Sequence, residues 1–265
     1  MTATTPTTTP TTGGGASPAL PDVPRISFSR IVSVELRKSL DTRAGALLVA
    51  AAVLLTLVPV GWQLTHLTDG VPDFDLWVSS ARGGVALFLP VVGILAMTSE
   101  WTQRTALTTF TLVPRRGRVL AAKLAAAVLV GAGVMAFVLA VAAAALLVAS
   151  GLEGTAPVWG DVGSVVGGSL VASALNLLMG AAFGAAIAHS AAAITVFLVA
   201  PALWQVAGTA LLGDDAQWLD VFQAFGRLSS FELAGHGAQV VTSVLAWVGL
   251  PLAFGWVRAL RRNVS

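Results

Sequence analysis

The chain has 265 residues, of which 56% are hydrophobic and only 11% are charged, and its formal net charge is +2 at pH 7. This composition excludes an ordinary soluble domain, because the charge-free runs are far longer than a soluble core helix or strand requires. The chain contains no Cys, which excludes a disulfide framework and thiolate chemistry.

The N-terminal region divides into a tail and a short helix. Residues 1–24 are rich in Thr, Pro and Gly, so we expect a disordered tail followed by a single transmembrane domain over residues 25–265. Residues 26–42 predict an amphipathic helix on the cytoplasmic membrane surface, because apolar residues recur at every fourth position: Phe28, Val32, Leu36 and Leu40.

Glu35 interrupts the pattern of this interfacial helix. Arg37 and Lys38 point away from the apolar stripe, whereas Glu35 falls near it, and its nearest cation on the helix is Lys38. We therefore expect Glu35 either to snorkel to the surface or to have an external partner. The simpler alternative is that the whole helix is a basic membrane anchor.

Long apolar segments follow the interfacial helix and predict an all-α, polytopic membrane protein with six transmembrane helices. A β-barrel is excluded, because the segments are continuously apolar and do not alternate. No charged residue occurs between Asp161 and Asp214, a run long enough for two spans, and we expect the break at Ala188-His189-Ser190. The predicted spans are about 44–63, 83–98, 120–147, 162–187, 191–212 and 239–257.

Basic residues predict the orientation of these spans. Of the 15 Lys and Arg residues, all except Arg82 and Arg227 lie before span one, between spans two and three, or after span six. The positive-inside rule therefore places both termini in the cytoplasm and the chain in the cell membrane. The same distribution accounts for the isoelectric point of about 9.9 without a nucleic-acid partner, and it favours contact with anionic membrane lipids.

The spans lack the residues that ion-coupled transport or catalysis would require. We assign every Lys and Arg to a loop, so no span keeps a charged residue for a coupling ion, and the chain has neither a phosphate-binding loop nor an H-E-x-x-H motif. We expect no catalytic residue, metal or cofactor. The candidates for lining a path are Asn176, Gln205, Trp204 and Trp247. For the two tryptophans, helix packing is the simpler interpretation.

A charged segment separates spans two and three. Residues 98–124 open with Glu100 and Arg104 at helical i,i+4 spacing and close on a basic cluster that begins at Pro114. Such a segment between apolar runs predicts either a tether or a docking surface for a soluble partner.

Four features follow one another along the chain. They are the pre-span helix SVELRKSLDTR, the segment SEWTQRTALTTFTLVPRRGRVLAAKL, the six spans, and an amphipathic stripe over residues 218–228 that predicts a short interfacial or re-entrant helix. In this order they resemble the permease subunits of type-2 ABC exporters, especially the compact actinobacterial kind. The resemblance covers nearly the whole chain after about Arg25.

The resemblance implies a cytoplasmic coupling helix between spans two and three. It implies that four residues of that helix face a separate ATPase: Glu100, Trp101, Arg104 and Thr105. It implies that three residues end the helix and return the chain to the membrane: Pro114, Arg115 and Arg116. It further implies two copies of the ATPase and a second permease subunit, most simply an identical copy.

Two functional hypotheses follow. The first is a non-catalytic permease subunit of an ATP-driven exporter, which forms the translocation path and couples to the ATPase. The alternative is a non-transporting membrane protein, such as an immunity, sensor or assembly factor, whose charged segment recruits a cytoplasmic partner. A stand-alone ATPase encoded in the adjacent reading frame would favour the first.

Overall fold

The computed structural model describes residues 26–41, 43–67, 70–102, 116–231 and 233–261, and all regular structure in these ranges is helical. The predicted tail 1–24 lies outside them. The described α-helices are α1 Phe28–Leu40, α2 Arg43–Thr65, α3 Phe74–Thr102, α4 Arg116–Glu153, α5 Val162–Ile187, α6 Ser190–Leu212, α7 Val221–Ser229, α8 Gly237–Val244 and α9 Leu250–Arg261. A 3-10 helix, Gly213–Leu219, joins α6 to α7, and a π-helical turn, Leu245–Gly249, joins α8 to α9.

Six helical segments are long and apolar enough to cross a membrane. They confirm the predicted all-α, multi-pass membrane class. Four predicted spans agree closely with the observed helices, namely 44–63 with α2, 162–187 with α5, 191–212 with α6, and 239–257 with the continuous helical segment Gly237–Arg261. α1 lies within the predicted region 26–42.

The bounds predicted for the second and third spans were wrong. α3 begins at Phe74 rather than at 83, because Asp73 caps it: Asp73 Oδ1 accepts a hydrogen bond from Leu76 N at 3.0 Å. α4 has 38 residues and extends beyond 120–147 at both ends. A helix of that length is roughly 57 Å long and exceeds a hydrocarbon core of about 30 Å, so apolarity alone did not mark where it ends.

The predicted break between the fourth and fifth spans is confirmed at Ala188 and His189. Ala188 adopts a left-handed backbone conformation with φ 57°, and its N–H donates to the carbonyl of Gly184. His189 then caps α6, because its Nδ1 accepts a hydrogen bond from Ala192 N at 3.2 Å. A C-terminal turn followed directly by a capping side chain lets two long helices meet without a loop.

α3 and α5 pack with their backbones in close contact. A Cβ built on Gly180 would lie 2.1 Å from the carbonyl oxygen of Pro90, and one on Gly93 would lie 2.3 Å from that of Leu177. Gly184 likewise faces the backbone of Ile94. Small residues allow such an approach in membrane helices, where van der Waals contact drives association. This face of α5 is therefore used within the chain.

The chain folds back beside α6 before the last span. Trp204 Nε1 donates to the carbonyl of Ala216 at 3.2 Å, so the 3-10 helix lies alongside α6 rather than beyond its end. Trp204 lies about 12 Å along the helix axis from Leu212. α7 then runs antiparallel to α5, and its end at Ser229 contacts Gly168. We call residues Gly213–Ser229 the re-entrant segment.

The helix ends sort into two chemically different groups. At one end, α1 packs against the start of α4, and these two helices line one cavity with the end of α3 and the start of α6. The Thr98 and Ser190 hydroxyl oxygens lie 2.7 Å apart at this end. Arg258 joins the same end by donating to the carbonyl of Ala186. At the opposite end, Phe74 N donates to Val158 O at 3.0 Å, beside the exposed carboxylates Asp73, Asp75, Glu153 and Asp161. We call these the basic end and the acidic end.

Candidate functional site

The predicted coupling segment begins and ends at the basic end. α3 continues helical through Glu100 and Trp101 to Thr102, and α4 begins at Arg116, but the side chains of these residues lie outside the described part of the structure. Four predicted residues lie wholly outside the described ranges: Arg104, Thr105, Pro114 and Arg115. Their contact with an ATPase stays a prediction, whereas the two helices that flank the segment have defined positions.

Glu35 of α1 forms a buried ion pair with Lys123 of α4. Lys123 Nζ lies 2.8 Å from Glu35 Oε2, and the two side chains are 2% and 12% exposed respectively. Glu35 was expected either to snorkel or to have a partner outside its own helix, and the second expectation is confirmed, since Lys123 lies on α4. The assignment of Lys123 to a loop was wrong. The periodicity of α1 alone could not reveal a partner 88 residues further along the chain.

Further contacts attach α1 to the base of α4. Arg118 Nη2 donates to the backbone carbonyl of Ile26 at 3.0 Å, so α4 contacts α1 near its start as well as at Glu35. Lys38 lines a cavity of about 190 Å³ together with Glu35 and Lys123, whereas Arg37 is exposed. Of the three charged residues predicted to matter on α1, Glu35 and Lys38 therefore face the protein. A displacement of the base of α4 would move α1 with it.

α3 carries a cation that sequence reasoning placed in a loop. Arg82 lies roughly two turns inside α3, within the candidate span Phe74–Ser99, and its side chain is half-buried. The expectation that the spans contain no charged residue was therefore wrong for α3 as well as for α4. Asp73, a helix-capping residue type that precedes the apolar run, was the available sequence signal for the earlier helix start.

Asn176 joins α5 to α3 and faces a cavity. Its Nδ2 donates to the carbonyl of Ala86 at 2.7 Å. It also lines a cavity of about 380 Å³ between α3, α5, α6 and α7, to which Arg82 contributes the charged group. Among the four candidates for lining a path, Asn176 is the one that the structure brings next to a cation.

The other three candidates hold the re-entrant segment. Trp247 Nε1 donates to the carbonyl of Leu219 at 2.7 Å, and its ring stacks on Phe183 with a centroid distance of 6.3 Å. Trp204 makes the hydrogen bond to Ala216 described above. Gln205 Nε2 approaches Asp220 Oδ2 at 3.5 Å, and both line a separate polar cavity of about 170 Å³. For the two tryptophans, the structure favours the packing interpretation.

Asp220 is a buried carboxylate at the start of α7. It is 7% exposed, and its Oδ1 accepts hydrogen bonds from Phe222 N and Gln223 N at 3.0 and 3.1 Å. Asp220 is thus the N-cap of α7. A capping residue type within the amphipathic stripe 218–228 was the signal that could have identified this role.

Among the described residues, no group of three or more His, Asp or Glu side chains could hold a metal ion. A scan of protein-family models finds no match to the chain, and a search of curated proteins finds no significant match. The described part of the chain therefore offers two candidate functional regions: the basic end with its flanking helices, and the cavity that contains Arg82 and Asn176.

Proposed function

We propose that the chain is the permease subunit of an ATP-driven exporter of the type-2 ABC class and works with a separate ATPase. The observation that carries the proposal is that α1 and the two helix ends that flank residues 103–115 line one cavity, in which α1 is paired with α4. An ATPase bound to that segment would act on α3 and α4 directly. It would act on α1 through the Glu35–Lys123 ion pair.

The orientation follows from charge. The basic end carries most of the Lys and Arg residues, so the positive-inside rule directs it, with both termini, to the cytoplasm of a cell-membrane protein. Residues 103–115 would then be accessible to a cytoplasmic ATPase. The basic side chains around them would also contact anionic lipids of the inner leaflet.

The mechanism is mechanical coupling. ATP-driven closure of two ATPase subunits would displace the coupling segments of two permease subunits, most simply two copies of this chain. The close backbone contact between α3 and α5 supports this role, because helices packed through Gly93 and Gly180 resist sliding and carry a displacement along their length. The displacement would reach the cavity lined by Arg82 and Asn176, and alternating access would follow.

The separate ATPase would carry out ATP hydrolysis. The only lysines of the chain are Lys38 and Lys123, and neither lies in a phosphate-binding loop. Glu35 forms an ion pair with Lys123, and both line a cavity with Lys38. The chain itself would therefore be no enzyme, and it would contribute the path and the coupling surface.

Co-expression with the stand-alone ATPase encoded in the neighbouring reading frame tests the proposal. We expect the two proteins to co-purify, and we expect ATP hydrolysis in proteoliposomes to be faster with the chain than without it. Glu100→Lys and Arg104→Glu should each abolish both effects, because opposite charge at a docking surface adds repulsion where there was attraction. The matched control is Asp215→Lys, an exposed charge reversal in the re-entrant segment.

Two results would contradict the proposal in different ways. Survival of both effects in Glu100→Lys and Arg104→Glu would refute docking through this segment. A stable complex whose ATP hydrolysis does not respond to the chain would favour the alternative, a non-transporting membrane protein that only recruits a cytoplasmic partner.

A further inference from the structure

The Arg82 cavity, introduced above, is lined by both exposed and buried residues. Ser79, Leu87 and Phe222 at its rim are exposed, whereas Ser173 and Met179 on its wall are buried. Its volume of about 380 Å³ falls within the range of roughly 300–1,000 Å³ that small-molecule sites occupy. The cavity is therefore large enough for a ligand and accessible from the side of the helix bundle.

Arg82 is the charged residue of this cavity. Its guanidinium forms no direct hydrogen bond or ion pair with any described residue, and its charge is attracted by Asp75, about two turns earlier on α3. Asp75 does not line the cavity, and the described residues that do include no Asp or Glu. A cation held roughly 12 Å beyond the start of α3 is costly in an apolar environment unless an anion accompanies it. An anionic group of a ligand that enters the cavity would therefore be attracted to Arg82.

Polar groups next to Arg82 can bind the same ligand group. Ser79 precedes Arg82 by almost one helical turn, so both lie on one face of α3, and the buried Ser173 stands across the cavity on α5. Hydroxyl groups can donate to an anion beside a guanidinium. Most of the other lining residues are apolar, among them Phe197, Pro201 and Phe225, and Asn176 and Ser229 add two polar side chains. The arrangement is one polar, positively charged pole and a long apolar wall.

We propose that this cavity binds an anionic amphiphile, in which a carboxylate contacts Arg82 and an apolar body lies along α5, α6 and α7. A neutral amphiphile would bring no negative charge into the cavity, where the described lining offers none, and a cationic one would be repelled. A carboxylate accepts two parallel hydrogen bonds from a guanidinium, which makes Arg82 the determinant of selectivity. As the class of molecule that the exporter moves, this ligand rests on the proposed function, but binding itself does not require the ATPase.

The test uses the purified full-length chain without ATPase, in nanodiscs of zwitterionic lipid. A diazirine-bearing dodecanoate is photo-crosslinked to the chain, and the labelled peptides are identified by mass spectrometry. We expect labels on α5, α6 and α7 that dodecanoate displaces. Dodecanol and dodecylamine should displace them at least about tenfold less well, because the charge-assisted hydrogen bonds require a carboxylate.

Three variants separate charge from packing. Arg82→Gln should lower specific labelling about tenfold or more, and Arg82→Lys should lower it less, because the positive charge remains although the bidentate contact is lost. Arg227→Gln is the matched control, since Arg227 donates to Gln239 and Gln223 and does not line the cavity. Monodisperse elution and an unchanged melting temperature show that each variant is folded. Arg82→Lys provides the comparison if Arg82→Gln does not fold.

Two outcomes overturn the proposal. The first is that dodecanol displaces the probe as well as dodecanoate does, and that Arg82→Gln and Arg82→Lys both leave the labelling unchanged. The second is displacement of the probe by phosphatidylglycerol in the nanodisc but not by dodecanoate, which would identify a lipid-headgroup site. Neither outcome bears on ATPase docking. Loss of docking in the earlier experiment would conversely leave this binding intact.

Discussion

The buried ion pair between Glu35 and Lys123 predicts that Glu35→Gln destabilises the chain strongly. The substitution leaves the Lys123 ammonium 2% exposed and without this counter-charge. Removing one partner of a buried ion pair costs about 3–5 kcal/mol, and we expect the lower part of that range because Glu35 itself is 12% exposed. Lys123→Met should cost less, since the remaining Glu35 carboxylate has some access to water whereas a remaining Lys123 has almost none.

Thermal unfolding of the purified chain in a mild detergent measures this difference. With roughly 2–4 °C per kcal/mol for a chain of this size, Glu35→Gln should lower the melting temperature by about 6–12 °C. The control is Asp41→Asn, which removes an exposed carboxylate just after α1 and should change stability by no more than about 0.5 kcal/mol. The double variant Glu35→Gln/Lys123→Met should recover most of the loss, because neither member of the pair is then charged.

Two results would refute this reasoning. If Glu35→Gln shifts the melting temperature no further than Asp41→Asn does, the ion pair does not hold α1 to α4. If the double variant is as unstable as Glu35→Gln, the loss comes from packing around Glu35 and not from the charge left on Lys123.

Three further predictions concern the α5 interface and the re-entrant segment. Gly180→Ala should lower the melting temperature or prevent folding, because its Cβ would lie 2.1 Å from a backbone oxygen of α3, whereas Gly133→Ala, with nothing within 4 Å, should be neutral or stabilising; equal effects would contradict the contact. Asp220→Ala should cost about 1–2 kcal/mol by thermal unfolding through loss of the α7 cap, and the exposed Asp215→Ala almost nothing; a neutral Asp220→Ala would disprove the cap. Trp247→Phe keeps a ring but removes an N–H donor to the re-entrant segment, so hydrogen exchange of residues 213–219 should become faster, and unchanged exchange would argue against anchoring.

Sequence patterns predicted those parts of the fold that depend on local signals. Apolar run length identified the multi-pass class, and a polar turn between two apolar runs located the break at His189. The start of α3 was predicted too late, because Arg82 was treated as the end of a loop and the cap at Asp73 was not recognised. A single charged residue is a poor marker of a membrane boundary when a cavity in the protein can accommodate it.

The candidate sites depended on contacts between distant parts of the chain. Sequence reasoning chose Asn176 as a polar residue in a span, but its position beside Arg82 required α3 and α5 to pack through glycine. Trp204 and Trp247 have the same residue type at similar depth in apolar segments, and only their hydrogen bonds reveal that both hold the re-entrant segment. The partner of Glu35 was likewise invisible in the sequence around it.

The sequence by itself determined that this is a multi-pass helical membrane protein. A backbone in hydrocarbon must form long apolar helices, and the length of each apolar run can be read directly from the sequence. It also determined the unequal distribution of basic residues, which is a property of sequence order. Only the tertiary structure decided which charges are buried and paired. In the sequence, Lys123 looks like one more basic residue of a loop. In the structure, α1 packs against α4, and Glu35 lies 2.8 Å from Lys123. Ion pairs and cavities form between helices that are far apart in sequence, so their energies depend on packing and not on local pattern.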